Sequence, residues 1–184
     1  MRTRRASRFA QLFAIAAIAV ATVGCGLGAT STAASLPVPS VGPAATAGPA
    51  AAQTRGAIAA AMSAVAVQLG DATRPYRPAE SGRLLNAPRA VYQVVLPDQP
   101  DAGFIVVYEF PDATAAAEAA TDQAAYLATG PARVQTPFGT RHVMRLIGST
   151  VVLYSWVPDV VADQRQPEIQ PALETLGVGV PIPS

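Results

Sequence analysis

The dipeptide Gly148-Ser149 separates two runs of alternating character, "RHVMRLI" and "TVVLYSW". A two-residue connection of this kind closes a hairpin through a mirror-image turn, whose twist matches that of the flanking strands. The turn sets the register: Ile147 meets Thr150, Arg145 meets Val152, Val143 meets Tyr154 and Arg141 meets Trp156. Side chains alternate along a strand, so these pairs share one face. The opposite face carries Met144, Leu146, Val151 and Leu153, is wholly apolar, and is expected to meet helices.

The runs "AVYQVVL" and "GFIVVYEF" flank the turn-forming "PDQPDAG" and form a second expected hairpin. Its core set is expected to be Tyr92, Val94, Leu96, Phe104, Val106 and Tyr108, with Val91, Gln93, Val95, Ile105, Val107 and Glu109 opposite. Helical spacing of Ile58, Met62, Val65 and Leu69 predicts a first helix, with Thr54 as its cap and Gly70 as its end. A proline- and arginine-containing connector, residues 71 to 89, follows it. "PDATAAAEAATDQAAYLATGP" predicts a second helix capped by Asp112 and stopped at Gly130-Pro131, with alanines that allow close approach to a sheet. Ile169, Leu173 and Leu176 mark a short last helix closed by Gly177, with Pro171 limiting its start. The order predicts an α+β fold: a four-stranded antiparallel sheet with helices on one face, in an αββ-αββ arrangement plus a short C-terminal helix.

At 184 residues the chain has room for one ordinary domain with tails. Four of its 13 basic residues, all arginine, precede residue 9, which leaves nine against 12 acids in the rest. A mildly acidic body offers phosphate backbones no footprint, so no nucleic-acid partner is expected. The basic leader is followed by an apolar stretch from Phe9 to Val23. That stretch is shorter than the roughly 20 residues of a spanning helix and suits a signal-peptide core.

The residues at its end, Thr22-Val23-Gly24-Cys25, resemble the lipobox of bacterial lipoproteins. Val23 and Gly24 fit its small-residue positions, and Thr22 stands where an aliphatic is usual. The resemblance implies that residues 1–24 are removed as a signal peptide and that Cys25 becomes a lipidated N-terminus. It also implies an extracytoplasmic protein, lipid-anchored to the bacterial cell membrane. Two or three acyl chains hold stably where one holds marginally. Cys25 is the sole cysteine, so no disulfide is expected. Gly26 to Thr54 contains neither charge nor aromatic ring and is rich in Ala, Pro, Gly, Ser and Thr, which predicts a disordered tether. The expected organisation is therefore signal peptide 1–24, lipidated N-terminus and tether 25–54, and one domain 55–184.

The mixed sheet face is the candidate binding face: Val107, Arg141, Val143, Arg145, Val152, Tyr154 and Trp156. Exposed, it is large and apolar enough to hold a protein partner, a second copy or a hydrophobic ligand. The alternative is that the connector or the C-terminal segment covers it as core. Arg141 on Trp156 offers a structural cation–π contact. His142, the only histidine, falls opposite Ser155 with Asp159 nearby. Neither a nucleophile-elbow pattern nor an oxyanion loop accompanies them, so a small envelope hydrolase near His142 and Ser155 is the second choice. A lone histidine without cysteines cannot build a usual zinc site. Asp98 and Asp101, and Asp159 and Asp163, suit turns and caps better than a cation. Arg74, Arg77, Arg83 and Arg89 suit a solvated connector better than an anion site. No metal or cofactor is expected, and the sequence favours a non-enzymatic binding or interaction module of the cell envelope.

Overall fold

The computed structural model describes residues 46–99, 102–158 and 163–184. The expected signal peptide 1–24, the lipidated Cys25 and residues 26–45 of the expected tether lie outside them. Residues 46–54 belong to the domain instead: Thr46 forms a parallel bridge with Arg89, and helix α1 runs from Pro49 to Ala64. Pro49 opens that helix because its fixed φ suits the first turn and its missing N–H is not needed there. The cap comes from far along the chain. A Glu109 carboxylate oxygen accepts from the Gly48 N–H at 2.7 Å and from the Ala51 N–H at 3.0 Å, satisfying donors that the first helical turn leaves unpaired. Thr54, expected as the cap, is a buried interior position whose hydroxyl meets that of Thr150 at 2.8 Å.

The helix ends before the expected Gly70. Ala66 adopts a left-handed φ of 57°, and the Val67 N–H returns to the Met62 carbonyl at 3.0 Å, the kind of bond that closes a helix C-terminus. The chain then becomes extended as β1, Gln68–Asp71, so Leu69 belongs to a strand. The connector includes one short helix, α2, Gly82–Leu85. The first hairpin is β2, Arg89–Val95, and β3, Phe104–Glu109. Helix α3 spans Ala113–Leu127 with Asp112 capping as expected, its carboxylate accepting from the Ala115 N–H at 2.8 Å. Gly130-Pro131 starts a further turn, α4 (Gly130–Arg133), rather than only ending α3. The second hairpin, β4 (Arg141–Ile147) and β5 (Thr150–Trp156), has the register read from its turn. Helix α5, Gln166–Glu174, and a two-residue strand β6, Val178–Gly179, complete the described elements.

All strands join one antiparallel sheet in the order β1-β2-β3-β5-β4-β6. The α+β class and the two hairpins stand, but the sheet has six strands and not four. Its edge strands are too short, at four residues and two, to show a period-2 pattern.

The helices lie on both faces, not one. Ala116, Ala119, Ala120 and Ala124 of α3 pack on Val106, Tyr108, Met144, Val151 and Leu153. On the other face Ile58 and Met62 of α1 and Ile169 and Leu173 of α5 pack on Tyr92, Val94, Ile105, Val107, Val152 and Tyr154. Both sheet faces are apolar, so both must be covered.

The expected core set of the first hairpin mixed two faces. Leu96 and Gln99 exchange both backbone hydrogen bonds across Pro97-Asp98, and the ladder beyond them is offset by two residues from that turn, so even positions still face odd ones. Tyr92 meets Ile105 and Gln93 meets Phe104. A one-residue slip inverts every side chain of a strand, and Phe104, Val106 and Tyr108 move to the α3 face.

Candidate functional site

The expected binding face is the core beneath α1 and α5. Val107 and Tyr154 are fully buried, Val152 is 1% exposed and Trp156 8%. Exposing just Val107, Val152 and Tyr154 would cost about 5–9 kcal/mol, comparable to the whole stability of a domain. The cover is α1 with the C-terminal α5, whereas the connector crosses the opposite face.

Arg145 is committed to that cover. Its guanidinium donates to the carbonyls of Leu176 at 2.7 Å, Glu174 at 2.7 Å and Gly177 at 3.0 Å. These are the orphan acceptors at the end of α5, where a cation also meets the favourable end of the helix dipole. Val143 is partly buried against the same core, and Arg141 is exposed. The described cation–π contacts are Arg55 on Tyr92 and Arg74 on Phe104; none joins Arg141 to Trp156.

The concave site forms where the connector passes over the start of β3 and the end of β5. "RPYRP", residues 74–78, forms neither helix nor strand; each proline fixes its own φ and disfavours helical backbone at the residue before it. Tyr76 stacks flat on Phe104, with ring centroids 4.1 Å apart, and the Arg74 guanidinium lies 5.1 Å from the same ring. Glu80 anchors the segment from below with its side chain only 1% exposed. Its oxygens accept from Arg77 Nε at 2.9 Å, Arg89 Nη1 at 2.6 Å and the Tyr108 hydroxyl at 2.7 Å. Gln123 of α3 holds the next residues as a backbone mimic, accepting from the Ser81 N–H and donating to the Ala79 carbonyl, both at 2.7 Å.

The resulting cleft has a volume of about 310 Å³. Its walls are the connector with Arg74, Tyr76 and Arg77, the strand ends with Phe104, Ser155 and Trp156, and the 135–140 loop after α4. Gly103 makes the close approach possible: it sits at φ +123°, and a Cβ there would lie 2.6 Å from the Ser155 carbonyl oxygen. Trp156 borders the cleft while stacking on Tyr154 behind it at 4.6 Å. A larger and more open hollow of about 420 Å³ runs along β4 and β6, but its arginine is the α5 cap Arg145.

His142 and Ser155 do meet, with Nδ1 to Oγ at 2.8 Å. Tyr76 also reaches the Ser155 side chain, and burial raises its phenol above the ordinary value. Burial lowers the His142 pKa, favouring the neutral ring. A serine protease triad presents Nε2 to its serine and an acid to Nδ1; here Nδ1 faces the serine. Among the described residues no carboxylate hydrogen bond to His142 is present. Asp159 and Asp101 lie outside the described residues.

Asp163 and Arg83 have structural duties. Asp163 accepts from the backbone N–H groups of Arg165 at 2.9 Å and Asp98 at 3.2 Å, which caps the α5 approach. Its pKa is lowered, first by the Arg165 N–H. No group of three metal-binding side chains occurs among the described residues. Arg83 pairs with Glu118 and Asp122 of α3, at 2.9 and 2.6 Å. Sequence reading missed Tyr76, Phe104 and the 135–140 loop as site residues. The one available signal was a tyrosine set between two Arg-Pro steps.

No family model matches the chain, and no curated protein or solved structure matches it. No helix of the described residues is long and apolar enough to cross a membrane.

Proposed function

We propose that the protein is an extracytoplasmic bacterial lipoprotein, held at the membrane by acyl chains on Cys25, whose domain is a non-enzymatic binding module. The basic leader, the apolar core and the lipobox-like Thr22–Cys25 support the anchor. One observation carries the binding reading: segments remote in sequence converge on the 310 Å³ cleft, with stacked aromatic rings and hydroxyl groups along its walls. Small-ligand sites combine apolar walls with a few placed polar groups in this way, and this volume sits at the small end of their range. A soluble ligand in the cleft replaces the sheet face as the site of contact.

Two experiments test the proposal. Mass analysis of the mature protein should find Cys25 acylated at the N-terminus, and an unmodified thiol there would remove the anchor. Native mass spectrometry of protein extracted from its own membranes should show a bound small molecule that is lost in the cleft-filling variant Thr136→Trp. A mass equal to the bare polypeptide in both forms would remove the binding reading.

The 2.8 Å contact between His142 and Ser155 beside the cleft favours one second reading, a small hydrolase. A fluorophosphonate probe would label Ser155 in that case. Ser155 is 3% exposed and shared between His142 and Tyr76, so no labelling is expected.

A further inference from the structure

We infer that the cleft selects a small organic anion with a flat apolar body, an inference that rests on the binding reading above. Three features of the walls point to this class.

The first is size. A volume of about 310 Å³ equals the share of about ten water molecules, at roughly 30 Å³ each. That is room for one ring with a short substituent.

The second is charge. Arg74 and Arg77 both line the cleft, and no acidic residue does among the described lining residues. Directly behind the wall, two guanidinium groups, Arg77 and Arg89, share the single carboxylate of Glu80. That cluster keeps a net positive charge. Arg77 commits its Nε to Glu80, and its side chain stays 35% exposed. A guanidinium has five donors in a planar fork that suits a carboxylate. The excess shown is that of the Arg77–Arg89–Glu80 cluster, in a chain whose acids outnumber its arginines beyond residue 8. Walls that carry one sign of charge favour ligands of the other.

The third is shape. Tyr76 and Phe104 are coplanar to within 8°, and Trp156 and Tyr154 to within 10°. Flat stacks leave flat walls, which suit an aromatic or otherwise planar body. Around them Ser155, Thr136, Thr140 and Gln135 offer hydrogen bonds that orient the ligand without adding charge.

Trp156 is the only tryptophan of the chain and borders the cleft, so its fluorescence reports on occupancy. The test titrates the full chain with phenylacetate, phenylacetamide and phenethylamine, which share a ring and differ in charge. Phenylacetate should change the Trp156 signal saturably, with the amide at least tenfold weaker and the amine weaker still. Arg74→Gln and Arg77→Gln should each weaken phenylacetate at least threefold and leave the amide unchanged. Near-ultraviolet circular dichroism and melting temperature will identify any variant that has lost its fold; Arg74→Gln leaves the Glu80 carboxylate its Arg77, Arg89 and Tyr108 donors. Equal affinity for all three probes, or preference for the amine, would overturn the anion class while the binding reading stands. Silence to all three probes, with a native ligand still seen in the cleft by mass spectrometry, would also overturn the class. Silence in both experiments would remove the class and the binding reading together.

Discussion

Glu80→Ala tests the keystone of the cleft wall. The carboxylate is 1% exposed and takes three donors, from Arg77, Arg89 and Tyr108. Arg77 is 35% exposed and can turn to water when its partner is removed. Arg89, at 12%, and the fully buried Tyr108 have no such exit. Breaking a buried ion pair by deleting one partner costs about 3–5 kcal/mol, because the other charge stays behind uncompensated. The orphaned Tyr108 hydroxyl raises the loss by about 1–3 kcal/mol. Against a total stability of about 5–15 kcal/mol, the variant should be close to its limit. At about 2–4 °C per kcal/mol for a chain of this size, the melting temperature should fall by roughly 10 °C or more. Thermal unfolding followed by circular dichroism measures this, with Glu118→Ala as the comparison. Glu118 is 57% exposed in its pair with Arg83, and its loss should cost at most about 1 kcal/mol. If the two variants melt together, the buried carboxylate is not what pins the connector, and the account of how the cleft is held fails.

Gln123→Leu should cost about 2–4 kcal/mol, since it leaves the Ser81 N–H and the Ala79 carbonyl without partners in the interior; chemical denaturation that shows a change under 1 kcal/mol, at roughly the worth of one ordinary hydrogen bond, contradicts it. Gly103→Ala should destabilise by about 1–3 kcal/mol from backbone strain alone, with a further loss from the clash with the Ser155 carbonyl, and an unshifted denaturation midpoint would rule this out. Stability should also fall with acid in two windows, read from urea midpoints across pH. His142 is held neutral below its ordinary value of 6.5, so the unfolded chain binds the proton first; this contribution is full above 6.5 and is lost as pH falls below it. Asp163, lowered from 3.8 by the Arg165 N–H, contributes fully above 3.8 and loses that contribution as pH falls through its lowered folded value. His142→Gln should abolish the upper window, and its persistence in that variant would show that another group causes it.

Local chemistry determined much of this fold. The Gly148-Ser149 turn fixes the β4–β5 register residue by residue, because a two-residue connection leaves the pairing no freedom. Asp112 caps α3 from the adjoining position, and the alanine stripe behind it sets how closely α3 lies on the sheet. Tertiary structure alone decided the rest. A Glu109 carboxylate 61 residues away caps α1, so the helix starts where no local capping side chain marks it. Strands of four and two residues gain their hydrogen bonds only from neighbours already in place, and carry no periodicity of their own. The mixed face was readable as a contact surface because sequence gives the composition of a face and not what lies upon it; α1 and α5 bury it from both ends of the domain. The cleft is the same case in reverse. Arg74, Tyr76, Phe104, Ser155 and Trp156 are scattered along the chain, and their meeting depends on how the connector is pinned across the sheet, a long-range contact that no local preference encodes.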